Sequence, residues 1–228
     1  MAIKACVFDA YGTLFDVAAA AREAAAEPGK EALAGCWQAL AETWRQKQLG
    51  YSWLRAVTDT HDDFWQVTGE ALDYALAEQK LADPLLRERL LALYFELPAY
   101  PEVPEMLSQL KASGYTTAIL SNGSPDMLSG AVTSAGVEPV LDAVISVEEV
   151  GVFKPDRRVY DLVETHLGTA PAEVLFVSSN GWDAAAAAGY GFQTAWVNRG
   201  GLPMDRLPWR PAHELTDLTL IPDLAGRL

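Results

Sequence analysis

Residues 3–13, IKACVFDAYGT, decide how this chain folds. The run 3–8 is short, β-branched and nearly all apolar, the pattern of a strand buried on both faces of a parallel sheet. It stops at Asp9, and Gly12 follows where the chain can turn tightly. Working outward, similar runs recur at 116–120, 143–145, 174–177 and 194–197, with helical stretches such as 104–113 and 159–167 between them. Strands that alternate with helices predict βαβ units and an α/β fold built on a parallel sheet.

Between the first two strands lies a segment of another kind, 16–97, rich in Ala, Leu, Glu, Gln and Trp and poor in strand formers. Trp37, Leu40, Ala41 and Trp44 follow the i, i+3, i+4, i+7 spacing of an apolar helical stripe, and Pro98 and Pro101 mark the return to the sheet. An insertion of this length is too long for a loop and is predicted to be a helical cap domain. The core is then 1–15 together with 98–228. The tail from about residue 200 carries Pro203, Pro208, Pro211 and Pro222, and predicts an irregular wrap with a short last helix.

The 228 residues hold 17 Lys and Arg against 31 Asp and Glu, a formal net charge of −14. Nucleic acid and anionic membrane surfaces need clustered basic residues, so neither is expected as a partner. An anionic substrate would have to meet a locally positive site, which screening over about 8 Å permits. Cys6 and Cys36 are too few for a disulfide framework and read as packed, reduced thiols. The start of the chain lacks the pattern of a signal peptide, and no segment approaches about 18 uninterrupted apolar residues, so the cytoplasm is the expected location.

Ligands of an open parallel sheet bind beyond the carboxyl ends of its strands. The residues at those ends are Asp9 after the first strand and Ser121 and Asn122 after the second. Lys154 lies shortly past the third, and Ser178, Asn180 and Asp183 follow the fourth. Read singly, each has an ordinary alternative: Asp9 as a turn or cap residue, Ser121 as a cap before Pro125, Asp183 as a first-turn acid, and Lys154 as a solvated surface residue. Four strand ends carrying such residues in chain order are much harder to obtain by accident. His61, His166 and His213 fit no metal or triad spacing.

DAYGT (9–13), LSNGS (120–124), KPDRRVY (154–160) and SSNGWD (178–183) together resemble the haloacid dehalogenase superfamily, in its L-2-haloacid, or (S)-2-haloacid, dehalogenase branch. The resemblance extends to WRQKQLGYSWLR (44–55) in the cap segment and implies a Rossmann-like parallel-sheet core with an inserted helical cap. Most of that superfamily are magnesium-dependent phosphatases, with a second Asp two positions after the nucleophile and acidic metal ligands after the fourth strand. Here those places hold Tyr11 and Ser178, Ser179 and Asn180. A phosphate ester must expel an alkoxide that wants a proton, whereas a halide leaves as a stable anion. The expected enzyme is therefore a cofactor-free, metal-independent hydrolase.

The resemblance implies that Asp9 attacks the halogen-bearing carbon with inversion and forms an ester that water hydrolyses to a 2-hydroxy acid. It gives Lys154, Thr13 and Ser178 the role of holding the Asp9 carboxylate, and Asp183 with Asn180 that of activating the water. Arg45 would receive the halide. Ser121 and the backbone amides of Tyr11 and Asn122 would bind the substrate carboxylate. Gln46, Leu49, Phe64, Trp182 and Tyr11 would form an apolar wall, with Tyr160 supporting the site. The expected partners are a small 2-haloacid, a halide ion and a second copy of the chain in a homodimer. A metal-dependent phosphatase and a catalytically silent binding module are the alternatives.

Overall fold

The computed structural model describes residues 2–228. A six-stranded parallel sheet forms its centre: β1 (Ala5–Phe8), β2 (Thr116–Ser121), β3 (Ala143–Ser146), β4 (Val174–Ser178), β5 (Gln193–Val197) and β6 (His213–Leu215), in the order β3-β2-β1-β4-β5-β6. Strand β1 is fully buried and hydrogen-bonds to β2 on one side and β4 on the other, with Phe8 in register with both Ile119 and Val177. The strand order reverses between β1 and β4, so the carboxyl end of β1 opens at the point where a ligand crevice forms.

The chain leaves β1 for five helices: α1 (Ala19–Ala26), α2 (Glu31–Ala34), α3 (Trp37–Thr58), α4 (Phe64–Glu78) and α5 (Pro84–Phe95). Helix α3 buries Leu40, Trp44, Gln48 and Ser52, a stripe at four-residue spacing, against α4 and α1. Its end is set by Asp59, which adopts a left-handed conformation with φ 54°. Helix α4 then starts on Asp63, whose carboxylate accepts the Gln66 N–H at 3.0 Å. Outgoing and returning chains run side by side, since Asp16 N–H donates to Pro98 O at 3.0 Å and Tyr100 N–H to Leu14 O at 2.9 Å.

The returning chain adds α6 (Val103–Ala112), α7 (Pro125–Ala135), α8 (Arg157–Leu167), α9 (Gly181–Tyr190) and α10 (Ile221–Arg227). Helices α6 to α9 pack on the sheet, and α10 packs on α6. Helix α8 begins two residues earlier than its apolar pattern indicates, because Asp156 accepts the Arg158 N–H and caps it. Strand β6 was not expected: His213, Glu214 and Leu215 show no apolar run, and the strand exists because β5 offers an edge to pair with. Cys6 is buried in β1, and Cys36 sits half-buried at the start of α3.

Candidate active site

Asp9 leaves β1 with its N–H bonded to Val177 O at 2.9 Å, which fixes the carboxylate above the strand ends. Gly12, at φ +88°, turns the chain back so that Thr13 faces the acid. Three donors converge on the carboxylate. Lys154 Nζ lies 3.1 Å from Oδ1, while Thr13 Oγ1 and Asn180 Nδ2 each donate to Oδ2 at 2.9 Å. The acid is 6% exposed, and Lys154 is 1% exposed.

Lys154 also donates to Asp183 Oδ2 at 3.0 Å, and Asp183 Oδ1 accepts the Tyr160 hydroxyl at 2.8 Å. Burial alone would push the Lys154 ammonium to give up its proton, but the charges of Asp183 and Asp9 outweigh it and raise its pKa. The Asp183 pKa is raised by burial, against the pull of Lys154, with the charge of Asp9 adding to the rise. Burial and the neighbouring Asp183 hold the Tyr160 pKa well above the usual phenol range, so its hydroxyl stays a donor. The two acids thus converge on an ammonium that fills the space between them. Among the described residues, no group of three or more His, Cys, Asp or Glu side chains is placed to share a metal ion.

Arg45 enters from α3. Its Nη1 donates to Gln48 Oε1 at 2.9 Å, and its Nη2 reaches Tyr11 O and Asn180 Oδ1, both at 3.2 Å. The Asn180 amide therefore links the guanidinium to the Asp9 carboxylate, one end accepting from Arg45 and the other donating to Asp9. Between them lies a small, tight cavity walled by Asp9, Lys154, Asn180, Ser121 and Asn122 from the strand ends and by Arg45, Leu49 and Phe64 from the helices. Tyr11 and Trp182 close it. A larger hollow, about 840 Å³, opens beside Trp65, Phe95 and Gly130 and contains none of these strand-end groups.

Two expected residues stand elsewhere, and Tyr160 supports the site from behind. Ser178 does not touch Asp9; its hydroxyl accepts the Asn180 N–H at 3.1 Å, and it is Ser179 whose hydroxyl lies 3.1 Å from Thr13 Oγ1, with its N–H also donating to Thr13 Oγ1 at 2.8 Å. Side chains alternate along a strand, so a shift of one residue turns the hydroxyl to the other side. Gln46 is exposed and hydrogen-bonds Glu42 at 2.6 Å instead of lining the cavity. Residues one apart on a helix do not share a face, and the inward positions after Arg45 are Gln48 and Leu49. Tyr160 lies behind the cavity wall and acts on Asp183.

Ser121 and Asn122 line the cavity as expected, and also brace it. The Ser121 hydroxyl accepts the Gly123 N–H at 3.1 Å, and Asn122 Oδ1 accepts the Lys154 N–H at 2.9 Å. Gln48 and Tyr94 were missed. Gln48 could have been found from its three-residue spacing to Arg45, whereas Tyr94, brought in by α5, leaves no trace in local sequence. Tyr94 stacks on Tyr11 with ring centroids 5.7 Å apart. The Tyr11 hydroxyl is buried without a partner, and burial raises its pKa well above the ordinary value.

A family model described as haloacid dehalogenase-like hydrolase matches residues 3–191. The (S)-2-haloacid dehalogenase 1 of Pseudomonas sp. (strain CBS-3) is 46% identical over 227 residues, covering 99% of this chain and 98% of that protein. A solved dehalogenase in an intermediate complex is 42% identical at a TM-score of 0.93, covering 98% of this chain and 97% of that one. The L-2-haloacid dehalogenase from Xanthobacter autotrophicus, solved with chloropropionic acid covalently bound, is 40% identical at a TM-score of 0.87, with 98% of both chains covered.

Proposed function

The chain belongs to the haloacid dehalogenase-like hydrolases, and we propose that it is an (S)-2-haloacid dehalogenase, converting small 2-haloalkanoic acids to 2-hydroxy acids with inversion. The observation that carries this is a carboxylate and a guanidinium facing one small cavity: Asp9 held by three donors, and Arg45 held by neutral oxygens alone.

Asp9 attacks the carbon bearing the halogen. A carbon–oxygen bond forms as the carbon–halogen bond breaks, and the halide leaves with the bonding pair toward Arg45. Lys154, Thr13 and Asn180 keep the nucleophile ionised and aimed. At about 3 Å the Lys154 charge contributes roughly 1.5 to 5.5 kcal/mol, depending on the effective dielectric. Ser121 and the amides of Tyr11 and Asn122 hold the substrate carboxylate, while Leu49, Phe64 and Trp182 exclude water during the displacement.

Water then attacks the carbonyl carbon of the Asp9 ester and releases the 2-hydroxy acid. Asp183, whose pKa is raised by burial, is the base on the Lys154 side that takes the proton. No acid is needed for the leaving group, and Tyr11, whose pKa burial raises, supplies none at neutral pH. Residues 16–97 act as the cap that brings Arg45 to the site. A cytoplasmic homodimer completes the proposal, supported for the dimer by family resemblance and for the location by the two free thiols Cys6 and Cys36.

The test is one turnover with enzyme in excess over 2-chloropropionate in heavy-oxygen water, followed by mass analysis of the peptide that carries Asp9. Label enters the Asp9 carboxylate if the ester forms. Label confined to the product overturns the covalent route.

A further inference from the structure

Arg157, Arg206, Arg210 and Arg227 are exposed to solvent, and Arg22, Arg55, Arg87, Arg89, Arg158 and Arg199 each pair with a carboxylate. Arg45, which faces the cavity, does not: its partners are the amide oxygens of Gln48 and Asn180 and the backbone oxygen of Tyr11. The residue that fixes it from behind is Gln48, 1% exposed on the inner stripe of α3, where a leucine would pack with no polar group to satisfy.

Every polar atom of that amide has a partner. Oε1 accepts from Arg45 Nη1 at 2.9 Å, and Nε2 donates to Thr68 Oγ1 at 2.7 Å. The Thr68 hydroxyl in turn donates to Phe64 O at 2.6 Å, and Tyr94 Oη stands 3.1 Å from Nε2. A guanidinium only donates, so the amide oxygen must face it and the amide nitrogen must face Thr68. Burial raises the pKa of Tyr94 and keeps it neutral. The whole support behind Arg45 is thus uncharged and satisfied, which removes the cost of burying a polar side chain.

We propose that Gln48 is a positioning residue that holds the Arg45 guanidinium rigid without neutralising it, so that the departing halide meets its full charge. A glutamate of the same size would hold Arg45 more strongly and cancel the charge that the leaving group needs. The proposal rests on Arg45 being the halide receiver.

The experiment compares Gln48→Glu, Gln48→Met and Arg45→Gln in the full chain, reading kcat and KM for 2-chloropropionate, inhibition by added chloride, and Tm. Gln48→Glu is expected to keep its Tm and its KM within about twofold, while kcat falls about tenfold or more and chloride inhibits correspondingly less. Gln48→Met, with no acceptor, is expected to give a smaller fall of the same kind, and it carries the test alone if the glutamate variant folds poorly. Wild-type kcat and chloride inhibition in the folded variants, with Arg45→Gln inactive, overturn the role of Gln48 and leave the function standing. Wild-type values in Arg45→Gln as well overturn the halide-receiving role of Arg45 itself.

Discussion

Two cations face the same cavity from opposite sides, and the protein treats them in opposite ways. Lys154, from the loop after β3, is fully enclosed and shared between two carboxylates, Asp9 at 3.1 Å and Asp183 at 3.0 Å. Arg45, from α3, is half-buried and meets only neutral oxygens. A neutralised cation can organise a nucleophile but has little field left for a new anion. An unneutralised one can receive an anion but contributes less to holding the fold together. The difference teaches that role follows from the partners of a charge more than from its sign.

The contrast can be broken by removing each cation in turn. Lys154→Met leaves Asp9 and Asp183 buried with no counter-charge, and is expected to lower unfolding stability by about 3 to 5 kcal/mol as well as abolish turnover, measured by urea denaturation and halide release. Arg45→Met is expected to cut kcat by about 10²- to 10³-fold while lowering stability by about 1 to 3 kcal/mol, less than Lys154→Met, because the buried Gln48 Oε1 loses its guanidinium donor but no buried charge is left unpaired. Equal losses of stability in the two variants would erase the distinction.

A finer probe is Tyr160→Phe, which strips the donor from Asp183 Oδ1 and leaves a buried acceptor unpaired. Its expected cost is about 1 to 3 kcal/mol in the same denaturation assay, with a smaller fall in kcat than Arg45→Met causes. The mildest probe is alkaline pH. The pKa values of Lys154, Tyr11, Tyr94 and Tyr160 are all raised in the folded chain, so the folded state keeps protons that the unfolded chain releases. Their contribution is complete below the ordinary values and is lost as pH rises through the folded ones; with the Cys6 thiol also pushed up by burial from 9.0 to about 12, the urea midpoint should begin to fall above about pH 9 and more steeply above about pH 10. Lys154→Met should flatten part of that slope.

Much of this arrangement was legible before any coordinates. An apolar run ending in Asp9 specifies a buried strand with an acid at its carboxyl end, and Asp9, Thr13, Lys154, Asn180 and Asp183 do meet there. The errors are instructive because each is a matter of phase. Ser178 and Ser179 differ by one step on an extended chain, and Gln46 and Gln48 by two steps on a helix, and in both cases the neighbour faces the site. Residue type was readable; the face it presents depends on where the element begins and how it is rotated against its neighbours. Strand β6 was invisible for a related reason, since three residues of mixed polarity become a strand only when an edge is already there to pair with.

Sequence alone determined the alternation of strand and helix, the long helical insertion and the polar residues at strand ends, because burial on two faces and helical periodicity leave local marks in the order of residues. Tertiary structure decided which charges would cancel. Lys154 and Asp183 are 29 positions apart, Lys154 and Asp9 are 145 apart, and Arg45 and Asn180 are 135 apart. Coulomb energy and desolvation depend on distances in space, which only the packing of α3 over the strand ends could set.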